Sequence, residues 1–245
     1  MQHLGRTRSS YQRDHLLHTP DTFVRAPLPG MRNATAIVHA APAMGAGFTE
    51  YTVEMERDGS FQPGQRQRLG QAQSFVYVLE GAVVCEEDRL PAGHYAWMPP
   101  HHGALVAAAE TARVLVIEKP YAAWNGIVPD RFTGDERDSP ATPLPGGESV
   151  EVRVLLPDDP AFDCAVNTMT FQPGATLPLV EIHVMEHGLF MLEGEGIYRL
   201  GDHWYPVQAG DFIWMAPYCP QWFGALGKAP AKYLIYKDWN RHPLT

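Results

Sequence analysis

Turn residues recur along this chain at a spacing that leaves room for little except short strands. Glycine and proline each occur 22 times in 245 residues. From about Pro63 onward they return roughly every eight to twelve residues. Between them lie short runs rich in Val, Ile, Tyr and Phe. β-Branched and aromatic side chains suit a pleated, half-buried surface. A sustained 3.6-residue apolar period is absent. The pattern predicts an all-β protein, a sandwich or barrel.

The runs also repeat. Phe75-Val-Tyr-Val-Leu-Glu-Gly81 matches Leu189-Phe-Met-Leu-Glu-Gly194, and Ala92-Gly-His-Tyr-Ala-Trp-Met-Pro99 matches Ala209-Gly-Asp-Phe-Ile-Trp-Met-Ala-Pro217. Such self-similarity predicts a duplicated β-barrel domain. Residues 1–35 are polar with scattered Leu16, Leu17, Phe23 and Val24, and read as an extended N-terminal arm laid over a barrel or a partner subunit. Residues 36–120 read as the first barrel. Residues 121–149 lose periodicity and carry linker chemistry, such as Pro143-Leu-Pro-Gly-Gly. Residues 150–245 read as the second barrel.

The bulk numbers narrow the function class. The formal net charge is −9, and the Lys and Arg residues form no block. That argues against nucleic acid and against an anionic membrane surface as partners. No apolar run follows the basic residues of the N-terminus, so no secretory signal is expected. No stretch of some eighteen apolar residues suggests a membrane span. Three cysteines, Cys85, Cys164 and Cys219, are an odd number at wide spacing and read as free thiols in a cytoplasmic protein. Cys219 reads as a buried, inert thiol.

One stretch stands apart chemically: Glu181-Ile-His183-Val-Met-Glu186-His187-Gly. In a β-strand side chains alternate faces, so Glu181, His183 and His187 would point the same way and Val184 and Glu186 the other. Three inward donors on one strand suggest a metal. His183-Val-Met-Glu-His187 also spells the inverted zinc-protease motif, which needs a helix. Pro178 before it, Gly188 after it and the apolar run into Gly194 favour a strand. In the final run, Tyr233, Ile235 and Lys237 share one face by the same period, and Leu234 and Tyr236 the other. If Tyr233 faces the interior, so does Lys237, and a buried ammonium needs an anionic partner. The plainer alternative is a surface Lys at a strand end.

These motifs resemble the cupin family, whose members carry a first motif with three ligands and a second that ends in a fourth. The resemblance implies a bicupin, two tandem jelly-roll barrels. Gly174 and Gly194 bound the first motif, with Glu181 and His183 in place of the usual His pair and His187 in place of the usual Glu. Eleven residues after Gly210, the family's last ligand position falls on Gln221, although Pro217 sits one residue late. The implied set is Glu181, His183, His187 and Gln221. Two oxygens and two imidazoles without a thiolate favour Mn²⁺ or Fe²⁺, whereas Zn²⁺ prefers a closed tetrahedral set. In the first half the same positions fall on Arg68, Gly70, Ser74 and Ala104, so that barrel is expected to be metal-free. His101 and His102 remain possible donors there, or parts of a solvated turn.

The run from Glu181 through Pro220-Gln-Trp to Tyr233-Leu-Ile-Tyr-Lys-Asp-Trp-Asn-Arg is similar to the (S)-ureidoglycine aminohydrolase family, bicupins of allantoin and purine catabolism. That resemblance implies Mn²⁺ in the C-terminal barrel and hydrolysis of (S)-ureidoglycine to (S)-ureidoglycolate and ammonia. It implies Glu181, His183, His187 and Gln221 as metal ligands and Tyr233 and Lys237 as substrate contacts. Glu181 and Gln221 would also touch substrate, and Lys237, Tyr233 or Glu181 would serve in catalysis. Which of Lys237 and Glu181 is the general base stays open. A small-molecule substrate and a homo-oligomer are expected. Two other readings compete: a different metal-dependent cupin enzyme, an Fe dioxygenase or isomerase, and a non-catalytic binding or storage bicupin.

Overall fold

The computed structural model describes residues 6–64, 71–147 and 149–238. Among these, regular structure is almost entirely strand, with three single-turn 3₁₀ segments of three residues each. The all-β expectation holds. The chain divides into two compact units.

The unit bearing the C-terminal strands is built from two antiparallel sheets. One has eight strands in the order Ser10–Tyr11, His15–His18, Phe212–Met215, His187–Glu193, Ala231–Lys237, Ala165–Phe171, Val150–Val154 and Thr142–Pro143. The other runs His203–Gln208, Glu195–Leu200, Gln221–Leu226. Alternate residues enclose one core containing Met169, Phe171, Leu189, Met191, Tyr198, Ile213, Met215, Phe223 and Tyr233. The rings of Phe171, Phe223 and Tyr233 meet with centroids 4.9–5.6 Å apart. Each fully buried ring of this kind contributes on the order of 2 kcal/mol through apolar burial. The jelly-roll expectation fits this barrel-like pair of sheets.

The N-terminal segment enters this unit as a strand. His15–His18 pairs with Phe212–Met215, setting His15 opposite Met215 and Leu17 opposite Ile213. Arg8 grips the buried Asp211 with two nitrogens, at 2.5 and 2.8 Å, and also donates to the Pro206 carbonyl. Leu17 is fully buried in the core.

The other unit covers residues 24–64, 71–139 and 159–163 among those described. Its strands follow the order Phe132–Asp135, His94–Met98, Ala72–Glu80, Ala112–Pro120, Thr49–Phe61, Val106–Ala108, Ala82–Cys85, Asp88–Pro91, with Arg32–Ala40 pairing alongside Thr49–Phe61. Tyr51, Val53, Phe61, Val76, Val78, Val114 and Val116 form its core. The stretch read as a linker carries Phe132–Asp135, paired with His94–Met98, and Thr142–Pro143, paired with Val150–Val154.

The repeat seen in the sequence has a backbone counterpart. Gly81 and Gly194 both turn with positive φ, 73° and 72°. A Cβ at either would lie 2.5 or 2.4 Å from a backbone oxygen, of Thr111 or Pro230 respectively. Only glycine fits such a close, left-handed turn.

Candidate metal and active site

The segment 181–187 is not a continuous strand, which corrects the sequence expectation. Glu181 forms an isolated bridge with Gln221, exchanging both backbone hydrogen bonds at 2.8 and 2.9 Å. Residues 182–186 lie outside any ladder, and the strand starts at His187. The physical reason is a change of sheet. Glu181 pairs with the edge of the three-stranded sheet, whereas His187 pairs with Met215 and Lys237 in the eight-stranded one. A single strand cannot follow both ladders, so the chain bends between them. No helix forms at 180–190 either, which removes the zinc-protease reading.

The bend nonetheless gathers the expected donors. Glu181 Oε2 lies 3.1 Å from His183 Nε2. The His183 and His187 rings meet edge to face, 5.3 Å between centroids. Gln221 is buried beside Glu181. Its Oε1 accepts a hydrogen bond of 3.2 Å from the Tyr198 hydroxyl. A cavity of about 140 Å³ is lined by Glu181, His183, His187 and Gln221, and on another wall by Tyr233, Ile235 and Lys237. Period-two alternation along the final strand is thus observed. Tyr233, Ile235 and Lys237 line the cavity, while the fully buried Leu234 and Tyr236 do not.

His187 is the most telling residue. Its side chain is 2 % exposed, and neither ring nitrogen has a hydrogen-bond partner. Burial, helped by the Lys237 and His183 charges, pulls its pKa down to about 3, against a small opposing effect of the Tyr236 backbone. The imidazole is therefore neutral, with a lone pair available on one ring nitrogen and an N–H on the other. Buried polar atoms are normally satisfied, and an orphaned pair calls for an explanation. A metal ion bound there would supply one. The donor set of a carboxylate, two imidazoles and an amide oxygen has the hard-to-borderline character that suits Mn²⁺ or Fe²⁺. The residues present fit a divalent ion.

Around the donors, Lys237 has its pKa lowered by burial, with Glu181 pulling the other way. Among the described residues no carboxylate oxygen lies within ion-pair distance of its ammonium. Tyr233 is fully buried and, among the described residues, its hydroxyl donates to the Met169 thioether alone, 3.3 Å away. Burial raises its pKa and that of Tyr198. Tyr198 was missed in the sequence. Its signal was period two on the strand that pairs with Gln221–Leu226, where Tyr198 sits opposite Phe223 and Leu200 opposite Gln221.

In the other unit, Ser74 and Ala104 occupy two of the corresponding ligand positions and are buried. Arg68 and Gly70 lie outside the described residues. His102 pairs with Glu86 at 2.8 Å, and His101 is an exposed turn residue with φ 64°. Among the described residues, the one group of three His, Cys, Asp or Glu donor atoms within 4.8 Å of one another is Asp14, His15 and Cys219; Glu181, His183 and His187 are spread more widely. Both His15 nitrogens are already engaged, by Asp14 at 2.9 Å and the Tyr205 hydroxyl at 2.9 Å. Burial pushes the Cys219 thiol up to about 11, so this cluster reads as a satisfied polar network that fixes the N-terminal strand. All three cysteines are free and buried.

Comparison with known proteins extends these observations. A family model described as a cupin domain matches residues 167–236, the span from the strand below the cavity to Tyr236. The (S)-ureidoglycine aminohydrolase of Arabidopsis thaliana is 42% identical over 98% of this chain and 80% of its own length. The crystal structure of a glyoxylate induced protein from Pseudomonas aeruginosa superposes with TM-score 0.85 at 30% identity, covering 96% of this chain and 92% of that one. That of protein Ylba from E. coli gives 0.83 at 28% identity, covering 98% and 97%. An identity of 42% sustained over 98% of the sequence places the protein: it belongs to the (S)-ureidoglycine aminohydrolase family.

Proposed function

We propose that the chain hydrolyses (S)-ureidoglycine to (S)-ureidoglycolate and ammonia, as a step of allantoin and purine catabolism, using Mn²⁺ in the cavity between Glu181, His183, His187 and Gln221. The observation that carries this reading is the buried, unpartnered His187, set beside three further donors of the same cavity in a chain of this family. Mn²⁺, when bound, would supply Lewis-acid polarisation and an anchor for substrate oxygen or nitrogen.

The remaining chemistry falls to side chains. The substrate carries a carboxylate, a ureido group and an amine on one carbon. Breaking the carbon–amine bond releases ammonia, and a new bond to a water oxygen replaces it. The ureido nitrogen helps to expel the amine, so the main demands are a proton for the leaving nitrogen, a base for water and control of the attacked face. Lys237 is a cation within the cavity lacking an ion-pair partner among the described residues. It is placed to pair with the carboxylate or to pass a proton. The Tyr233 hydroxyl, held by a thioether, can turn to a better acceptor on the substrate. Glu181 is the alternative base. The Leu177, Met169 and Ile235 walls limit water at the reacting carbon. Assembly as a homo-oligomer in the cytoplasm belongs to the same proposal. No helix among the described residues is long and apolar enough to cross a membrane.

The test is ammonia release from freshly generated ureidoglycine. Protein stripped by chelator is inactive on this reading, and Mn²⁺ restores turnover. A protein that carries metal yet releases no ammonia would move the function to another metal-dependent reaction or to binding alone.

A further inference from the structure

His183 sits in a bend without regular structure, between Glu181 in an isolated bridge and His187 at the start of a strand, so something other than a continuous ladder must hold the bend. Three backbone anchors do so. Glu181 is tied to Gln221, and the His183 carbonyl accepts from the Tyr218 amide at 2.6 Å. The third anchor is at Glu186. Its amide donates to Asp238 Oδ1 at 3.0 Å, and its carbonyl faces the Asp238 amide at 3.4 Å. The Glu186 carboxylate in turn accepts from the Trp214 indole at 3.0 Å.

This third anchor is placed differently from the other two. His187 lies in one row across three strands, opposite Met215 on one side and Lys237 on the other. Glu186, Trp214 and Asp238 are each one residue away from that row. Adjacent strand residues face opposite ways, so Trp214 stands behind the sheet while Met215 and Lys237 face the cavity side; Asp238 directly follows the last strand residue, Lys237. Glu186 is buried, and it closes the bend against both neighbouring strands at the point where the ladder resumes.

We propose that Asp238, through Glu186, is a positioning residue for the metal centre. Its carboxylate fixes the Glu186 amide and so sets where His187 begins its strand and where His183 ends the bend. Asp238 is not among the residues that line the cavity. The inference rests on the metal reading given above. Outer-shell hydrogen bonds that orient ligands are worth about 10–100-fold in metal affinity.

The test reads metal binding rather than turnover: Mn²⁺ titration of the chelator-stripped full chain, followed by electron paramagnetic resonance of free Mn²⁺. D238A is expected to bind about 10–100-fold more weakly than the native chain. D238N keeps an oxygen acceptor for the Glu186 amide and is expected to bind as the native chain does. Should D238A fail to fold, W214F removes the indole donor to Glu186 and is expected to weaken binding in the same direction. Native-like affinity in D238A, or in W214F where that variant is needed, overturns the inference and leaves the metal site standing. Equal loss in D238A and D238N also overturns it, since charge and not the anchor would then matter. A native chain that binds no Mn²⁺ overturns the metal reading and this inference together.

Discussion

Glu181 and Gln221 face each other across an isolated two-residue bridge, joined by both of their backbone hydrogen bonds. The pairing puts a carboxylate and an amide on one edge of the cavity before any ion arrives. His183 and His187 complete the set from a bend that passes between two sheets. On the proposed reading, a site assembled from both sheets ties metal affinity to the integrity of the barrel.

Lys237 should matter to chemistry more than to metal binding. It lines the cavity but is no donor while it stays protonated. Lys237→Met is expected to lower kcat/KM by at least about 100-fold, the scale of a lost general acid or base, while Mn²⁺ affinity stays close to native. Steady-state kinetics together with a metal titration check this, and full activity in the variant would remove the Lys role.

His187 should show the reverse pattern in stability. Its imidazole is buried without partners, a cost that an ion offsets. His187→Ala is expected to lose more Mn²⁺ affinity than the roughly 10–100-fold typical of outer-shell losses. Added Mn²⁺ should raise the melting temperature of the native chain and leave that of the variant unchanged. Thermal melts with and without metal decide the matter.

Arg8 and Asp211 form a third case, distant from the chemistry. Asp211 is fully buried and takes two of its hydrogen bonds from Arg8. Arg8→Ala takes two charge-assisted hydrogen bonds from that carboxylate, each worth about 1.5 kcal/mol at most where, as here, the partner is partly exposed. The expected result is a lower unfolding midpoint of the unit that holds the cavity, measured in urea. An unchanged midpoint would show that the N-terminal strand is held without this pair.

Glu50 gives a pH signature. Its side chain is fully buried with both oxygens unpartnered, and burial raises its pKa well above the usual value of 4.5. An acid whose pKa is raised by folding binds its proton more tightly in the native state. Stability therefore falls as pH climbs past the unfolded value, by up to about 1.4 kcal/mol per pH unit, until the folded pKa is reached. Glu50→Gln removes this dependence. The stability of Glu50→Gln relative to the native chain should rise from pH 4 to pH 7 in denaturant melts. A flat difference would place the native carboxyl in a solvated or paired environment.

Much of the architecture is legible in the sequence because it is local. Gly81 and Gly194 mark duplicate turns since no other residue tolerates that backbone so close to a neighbouring carbonyl. The alternation of Tyr233, Ile235 and Lys237 is equally local and appears as expected along the cavity wall. What escapes is tertiary. That Glu181 and His187 belong to different sheets depends on partners at Gln221, Met215 and Lys237, far away in the chain, and spacing alone cannot carry it. The insertion of His15–His18 beside Phe212–Met215 is non-local in the same way. Tyr198 is missed because its role comes from the hydroxyl reaching Gln221 across a pair of strands.

The most direct measurement is ammonia production from ureidoglycine by stripped protein as Mn²⁺ is added back. Turnover should rise from near zero and saturate at about one Mn²⁺ per chain, the count expected for a single four-donor site. Full turnover in the stripped protein, or none at saturating Mn²⁺, would contradict a metal-dependent aminohydrolase centred on His187.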